Sequence, residues 1–268
     1  MARTPPKQEE QEESSQASDA PVWSRRRWLG SSVALPFVGA AAAASLKGEM
    51  PYQPGQAAIP AVFTENPNTA ASSSYVYFTP AEAAFIEAAV ARLIPKDELG
   101  AGALEAGVAY FIDRQLAGDY GAGSRWYMQG PWDKGESTQG FQSRMPPAAY
   151  YRAAIREIGE AVSREANGAT FAKLAPADMD AWLHRLEDGK VELATTDAKA
   201  FFKMLWQNTL EGFWSDPVYG GNRDLVGWKL IGFPGARYDH SPYVGKHGEA
   251  YPLPPVGLKG RVEWIAKG

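Results

Sequence analysis

The sequence predicts a mainly α fold, a compact helical domain with long aromatic and glycine-rich loops, preceded by a disordered N-terminus and a signal segment. Two observations carry this expectation. Five stretches within residues 79–213 repeat apolar side chains at 3.6-residue spacing between helix start and stop signals. No stretch alternates apolar with polar residues over the length of a convincing strand. A chain of 268 residues, 45% hydrophobic, can afford the sizeable core that such a domain needs.

Residues 1–20 are polar, with Glu9, Glu10, Glu12 and Glu13 among Gln and Ser, and hold too little apolar surface to offset the entropy of folding. They read as disordered. Ser24-Arg25-Arg26-Arg27-Trp28-Leu29-Gly30 follows, then residues 31–44 without a charge and rich in Ala, Val, Leu, Phe and Gly. Arginine pair, apolar run and small-residue end stand in the order of a twin-arginine export signal. The segment resembles S-R-R-x-F-L-K, with Trp28 in the Phe position and Gly30 in the Lys position. Arg25 and Arg26 are therefore the expected export signal, read by the twin-arginine translocase, and the expected location is the periplasm. The run of about fourteen residues is short of the roughly 20 that span a bilayer as a helix, so a permanent anchor is the weaker reading. Pro36 and Gly39 speak against a stable core helix there. Ala41, Ala42, Ala43 and Ala44 offer small residues for cleavage near Ser45 in several registers. Residues 1–44 are thus n-region and signal. Residues 45–74, with Pro51, Pro54, Pro60 and Pro67, read as a linker or arm, and residues 75–268 as the helical domain.

Within that domain, Thr79-Pro80-Ala81-Glu82 supplies a cap, a first-turn proline and a carboxylate at the third helical position. Phe85, Ile86, Ala89, Val90, Leu93 and Ile94 make one apolar face, and Pro95 stops the helix. A second helix is expected over residues 103–116, with Leu104, Val108, Phe111 and Ile112 on one side and Gly118 past its end. Residues 119–145, with Trp126, Tyr127 and Trp132, read as a long loop packing its own rings. A third helix runs over 147–166 through Tyr151, Ile155, Ile158 and Val162. A fourth covers 176–187 through Met179, Trp182, Leu183 and Leu186, stopped by Gly189. Thr196 can cap a fifth, whose Phe201, Phe202, Leu205, Trp206, Leu210 and Phe213 cover so much of its circumference that it must be deeply buried.

Composition excludes several chemistries. The absence of Cys removes disulfides, thiolate metal sites, iron–sulfur clusters, covalently attached haem c and cysteine nucleophiles from this chain. A net charge of -4 with scattered Lys and Arg argues against nucleic acid as a partner. Neither G-x-G-x-x-G after a strand, nor a phosphate-binding G-x-x-x-x-G-K-[ST], nor a G-x-S-x-G elbow occurs. His184 reads as an ordinary helix residue, and His240 with His247 matches no defensible ligand spacing. Glu211, Asp216 and Asp224 admit two readings. They could form a carboxylate cluster, or Asp216 could cap a turn while the others pair with Arg223 or backbone amides; the second is preferred. No catalytic, cofactor-binding or metal-binding residue is assigned.

Glu211-Gly212-Phe213-Trp214-Ser215-Asp216-Pro217-Val218-Tyr219-Gly220-Gly221-Asn222, followed by Gly227-Trp228-Lys229-Leu230-Ile231-Gly232-Phe233-Pro234-Gly235, reads on physical grounds as an ordered aromatic loop rich in tight turns. The segment also resembles the signature of the gluconate 2-dehydrogenase subunit 3 family. That signature has the pattern E-G-F-x-S-D-P-x-Y-G-G-N and then G-W-K-x-I-G-F-P-G. Leu93-Ile94-Pro95 and the stretch from Gly107 to Gln115, with Phe111-Ile112-Asp113, resemble the family's N-terminal half, so the likeness covers most of residues 79–235. It implies a small subunit without a cofactor of its own in a periplasmic dehydrogenase complex. The large subunit of such a complex carries FAD and oxidises a sugar, sugar acid or polyol. In many of them a multihaem cytochrome c subunit takes the electrons onward, and any association with the inner membrane comes through partner subunits.

Trp214, Asp216, Tyr219, Gly220, Gly221, Asn222, Asp224, Trp228 and Phe233 form the expected partner interface, since large aromatics anchor interfaces. The competing expectation is a free-standing carbohydrate-binding module using Trp126, Tyr127, Trp132 and Asp133. A third, an enzyme in its own right working with Asp and His, has the least support.

Overall fold

The computed structural model describes residues 74–260 except 133, 134, 137, 138, 142 and 238. The expected signal segment with Arg25 and Arg26, nearly all of the expected linker, and Asp133 lie outside the described residues. Seven helices occur among the described residues: α1 (Pro80–Leu93), α2 (Val108–Ala117), the single turn α3 (Asp119–Ala122), α4 (Pro147–Glu165), α5 (Pro176–Glu187), α6 (Ala198–Trp214) and the short α7 (Val226–Ile231). No strand forms among them, and only isolated bridges such as that between Gly235 and Val256 occur. The mainly α expectation holds.

Helix α1 starts as its sequence dictates. The Thr79 hydroxyl accepts from the Glu82 amide, and the Glu82 carboxylate accepts from the Thr79 amide at 2.8 Å, which satisfies two donors that the first turn leaves free. Its Phe85, Ile86, Ala89 and Val90 face the core, where Phe85 meets Phe171 at 4.8 Å between ring centroids. Helix α6 runs through the middle of the domain against α1, α2, α4 and α5. Phe201, Leu205 and Phe213 on it are closed to solvent, and Phe201 meets the ring of Tyr151 edge-on at 5.4 Å. A helix buried this far around needs the near-continuous apolar surface that residues 201–213 supply.

Two helix starts differ from the expectation. Helix α2 begins at Val108 rather than near residue 103, because Gly107 adopts φ 74, a left-handed conformation that ends one turn and starts another. The preceding turns bury Ala103 and Ala106 but turn Leu104 outward, 43% exposed. Helix α6 is capped by Asp197, whose carboxylate accepts from the Ala200 amide at 2.7 Å, and not by Thr196.

Thr196 serves Glu157 on α4 instead. The Glu157 side chain is 5% exposed and accepts from the amides of Thr195 and Thr196 and from both hydroxyls. Burial pushes its pKa up, but these bonds outweigh burial and hold the carboxyl below the usual glutamate value. A carboxyl depressed in the folded state contributes stability above its unfolded pKa and loses it as pH falls through the folded value. Glu157→Gln is therefore expected to cost about 2 kcal/mol at pH 7, with the gap to wild type closing as pH drops below about 4.3. Urea unfolding at both pH values checks this, and a gap independent of pH would contradict it.

The expected loop over residues 119–145 opens with the helical turn α3 and packs Trp126 and Phe141 between rings of α3 and α4, while Tyr127 stays 80% exposed. Tyr120, Trp126, Phe141 and Tyr150 follow one another at centroid distances of 5.7, 5.4 and 5.1 Å. Burial pushes the Tyr120 hydroxyl up to about 12, while its hydrogen bond to Asn208 works the other way. Asn208 also receives the fully buried Tyr151 hydroxyl at 2.7 Å.

One buried carboxylate joins the start of the domain to its middle. Asp113 on α2 accepts from the amides of Val76, Tyr77 and Phe78 at 2.8, 2.9 and 2.8 Å, so the chain entering α1 is pinned to a different helix. Tyr75 stacks on Tyr110 of α2 at 4.6 Å, and both burial and its hydrogen bond to Glu87 push its hydroxyl pKa up. Across the domain, Arg92 of α1 grips Asp180 of α5 with two bonds of 2.7 Å.

Candidate functional site

Residues 211–235 leave the end of α6, make the turn Pro217–Tyr219, pass the turn Arg223–Leu225, form α7 and run on past it to Gly235. The path is possible because two glycines touch. A Cβ on Gly221 would lie 2.1 Å from the Gly212 carbonyl oxygen, and one on Gly212 would lie 2.9 Å from Phe111 of α2. Asn222, fully buried and at φ 45, closes the loop by donating to the Ser215 carbonyl and accepting from the Gly227 amide, both at 2.8 Å. A left-handed Asn is tolerated better than most residues, and its short amide replaces backbone partners that the turn lacks. Leu225 is also left-handed, at φ 58, and is held there by burial of its side chain.

Trp228 lies on the inside of α7, nearly closed to solvent, and its indole N–H donates to the Trp214 carbonyl at 2.7 Å. Trp214 itself is half-buried and meets Phe213 edge-on. Phe233 meets the Trp228 ring edge-on at 5.0 Å yet stays 44% exposed. Asp216 caps the turn as expected, accepting from the Val218 amide at 3.0 Å, and its other oxygen accepts from the amide of Leu258 at 2.7 Å. Glu211 takes hydrogen bonds from Gln207 and Asn208 rather than from Arg223, and Asp224 lies exposed at φ 57.

The nine expected interface residues thus divide by environment. Gly221, Asn222 and Trp228 are inside the loop, and Trp214, Asp216 and Gly220 are half-buried. Tyr219, Asp224 and Phe233 face out, Tyr219 at 53% exposure. Val218 and Ile231 join them on the outside.

The C-terminal tail, for which the sequence offered no role, returns to this loop. Val256 donates to the Pro234 carbonyl and accepts from the Ala236 amide, and Arg237 reaches the Pro254 carbonyl. Gly235, at φ 79, leaves no room for a side chain, since its Cβ would stand 2.1 Å from the Val256 oxygen. His184 pairs with Glu187 at 3.3 Å, and His240 and His247 are exposed in the tail. Among the described residues no three His, Asp or Glu side chains gather as a metal site.

Two residues that sequence reasoning did not assign to a site stand beside the loop. Arg223 donates its amide to the Ala106 carbonyl and places its guanidinium 5.7 Å from the Tyr110 ring, while its buried Nε has no acceptor. Arg114, exposed on α2, runs past Gly220. The available signal was that Arg114 lies inside the family-like stretch 107–115 and Arg223 follows directly on Asn222 of the signature.

Comparison of the chain with curated proteins and with solved structures yields no match. A family model does match: residues 80–235, from the first residue of α1 to the glycine on which the tail closes, fit gluconate 2-dehydrogenase subunit 3, and the chain belongs to that family.

Proposed function

We propose that this chain is the non-catalytic small subunit of a periplasmic FAD-dependent dehydrogenase, and that it binds, stabilises and co-exports the flavin-carrying catalytic subunit. The family match over residues 80–235 carries the reading. The arginine pair at Arg25 and Arg26, ahead of an uncharged run, supports its export half. The twin-arginine route passes folded proteins, so a flavoprotein that loads FAD in the cytoplasm can leave bound to a subunit that carries the signal. In this reading FAD sits in the partner, which acts on a sugar, sugar acid or polyol, and a cytochrome c subunit is the onward electron acceptor where the complex has one.

Replacing Arg25 and Arg26 together with Lys is expected to leave the flavoprotein in the cytoplasm, with periplasmic dehydrogenase activity reduced at least tenfold. Fractionation of cells with a flavin and activity assay on each fraction checks this. Full periplasmic activity in the variant, from a flavoprotein without a signal of its own, would end the co-export reading.

A further inference from the structure

Among the described residues, the main apolar core takes no side chain beyond Leu230. Trp228 and Val256 are as closed to solvent as core residues, 7% and 2% exposed, yet neither belongs to it. Both lie against Gly235, where an added Cβ would stand 2.9 Å from Trp228 Cζ3 and 2.1 Å from the Val256 oxygen. This small second cluster therefore draws one side from the signature and the other from the tail, which lies beyond the family match.

After Gly235, Val256 and Gly257 are the only buried residues described. Residues 237–253 make an exposed excursion whose rings gather on one another, Tyr243 and His240 against Tyr251 at 4.7 and 5.9 Å, and not on the core. The returning segment is then held by its backbone. Val256 pairs in parallel with Gly235, donating its amide to the Pro234 carbonyl at 3.3 Å and accepting from the Ala236 amide at 2.7 Å. Two residues on, the Leu258 amide donates to Asp216 Oδ2 at 2.7 Å, while Oδ1 holds the Val218 amide. Main-chain bonds that supply affinity, with one buried side chain that supplies selectivity, are how an exposed backbone edge binds an extended peptide.

We propose that Asp216, Trp228 and residues 234–236 form a groove for an extended peptide, filled by the chain's own residues 254–258, and that the tail is a strap which opens as a unit while the core stays folded. The groove takes a compact apolar residue where Val256 sits and a backbone amide two positions later. Its two ends adjoin the outward rings of the signature: Tyr219 stands three residues after Asp216, and Phe233 directly before Pro234. A closed strap holds both rings in place, and an open one frees them. With a single buried anchor against a core built from five helices, the strap opens at a lower free energy than the domain unfolds.

Amide hydrogen exchange on the full-length chain tests this. The amides of Ala236, Val256 and Leu258 should share one protection factor of about a hundred, at least about a hundredfold below that of the α6 amides. Val256→Asp should abolish protection at all three and leave α6 as in wild type. A synthetic peptide of residues 252–260, added to the Val256→Asp chain, should restore protection at Ala236 with half-saturation at about 10–100 μM, a millimolar effective concentration divided by a closure constant of about a hundred. The same peptide carrying Val256→Asp should restore nothing. Exchange of the three amides at the rate of α6, or loss of α6 protection in Val256→Asp, would make tail and core one cooperative unit and overturn the strap. A Val256→Asp chain that the wild-type peptide leaves unprotected would overturn the groove. Protection at Ala236 that rises with the concentration of wild-type chain would overturn the intrachain occupant and give the groove to the tail of a second copy.

Discussion

Asp113→Ala is expected to lower the free energy of unfolding by about 4 kcal/mol, the largest loss expected from any single polar group in the domain. The carboxylate is 1% exposed and is the acceptor for three consecutive amides, those of Val76, Tyr77 and Phe78. Removing it strands those donors where residues 76–78 lie against α2, and the alanine also leaves a void beside them. Asp113→Asn keeps the shape and one acceptor oxygen, and should cost about half as much. Urea unfolding measures the loss. Hydrogen exchange locates it: the amides of residues 76–78 should exchange at least tenfold faster in Asp113→Ala, while those of α6 change only by the global loss. Wild-type protection at all three amides would mean that they have other acceptors.

Gly221→Ala is the second large effect, at about 3 kcal/mol. Its Cβ would meet the Gly212 carbonyl at 2.1 Å, and backbone cannot swing aside as a flexible side chain can. The whole crossing of the loop over α6 would have to open, which also strains the Asn222 bonds to Ser215 and Gly227. Gly245→Ala is the control. Nothing stands within 4 Å of its added Cβ and its φ is ordinary, so its stability should stay within about 0.5 kcal/mol of wild type. Comparing the two variants separates close approach from a general intolerance of side chains at glycine positions. A Gly221→Ala protein with wild-type stability would show that α6 and the loop can part at no cost.

Five of the seven described helices were legible because their signals are local, whereas α3 and α7 fall in stretches read as loops. Thr79, Pro80 and Glu82 announce the start of α1 within four residues, and the apolar period of residues 201–213 is met by a helix buried as deeply as it implies. The start of α2 was misplaced because Leu104 fits the apolar period, and only the left-handed Gly107 breaks it. Whether a glycine takes positive φ depends on what crowds it, here the Gly220 oxygen and Arg223 from more than a hundred residues away. The cap of α6 was misassigned for a similar reason. Thr196 and Asp197 are both good capping residues, and the choice fell to Glu157, which takes the threonine.

The signature loop was legible as a unit but not in its division of labour. Trp228, Tyr219 and Phe233 are alike in a sequence, and only the turn at Asn222 and the bond from Trp228 to Trp214 decide which ring turns in. Arg114 and Arg223 escaped notice because isolated arginines have no pattern. What sets them apart is their place beside Gly220 and Gly107, which is a property of three dimensions.

The anchoring of residues 76–78 also fixes how the domain bears a pull. Tension applied to the chain ahead of residue 74 arrives at Val76, Tyr77 and Phe78 and is handed to α2 through three parallel bonds to one carboxylate, before it reaches the first turn of α1. Bonds loaded together resist more than bonds broken one after another, so this entry into the domain is reinforced against peeling.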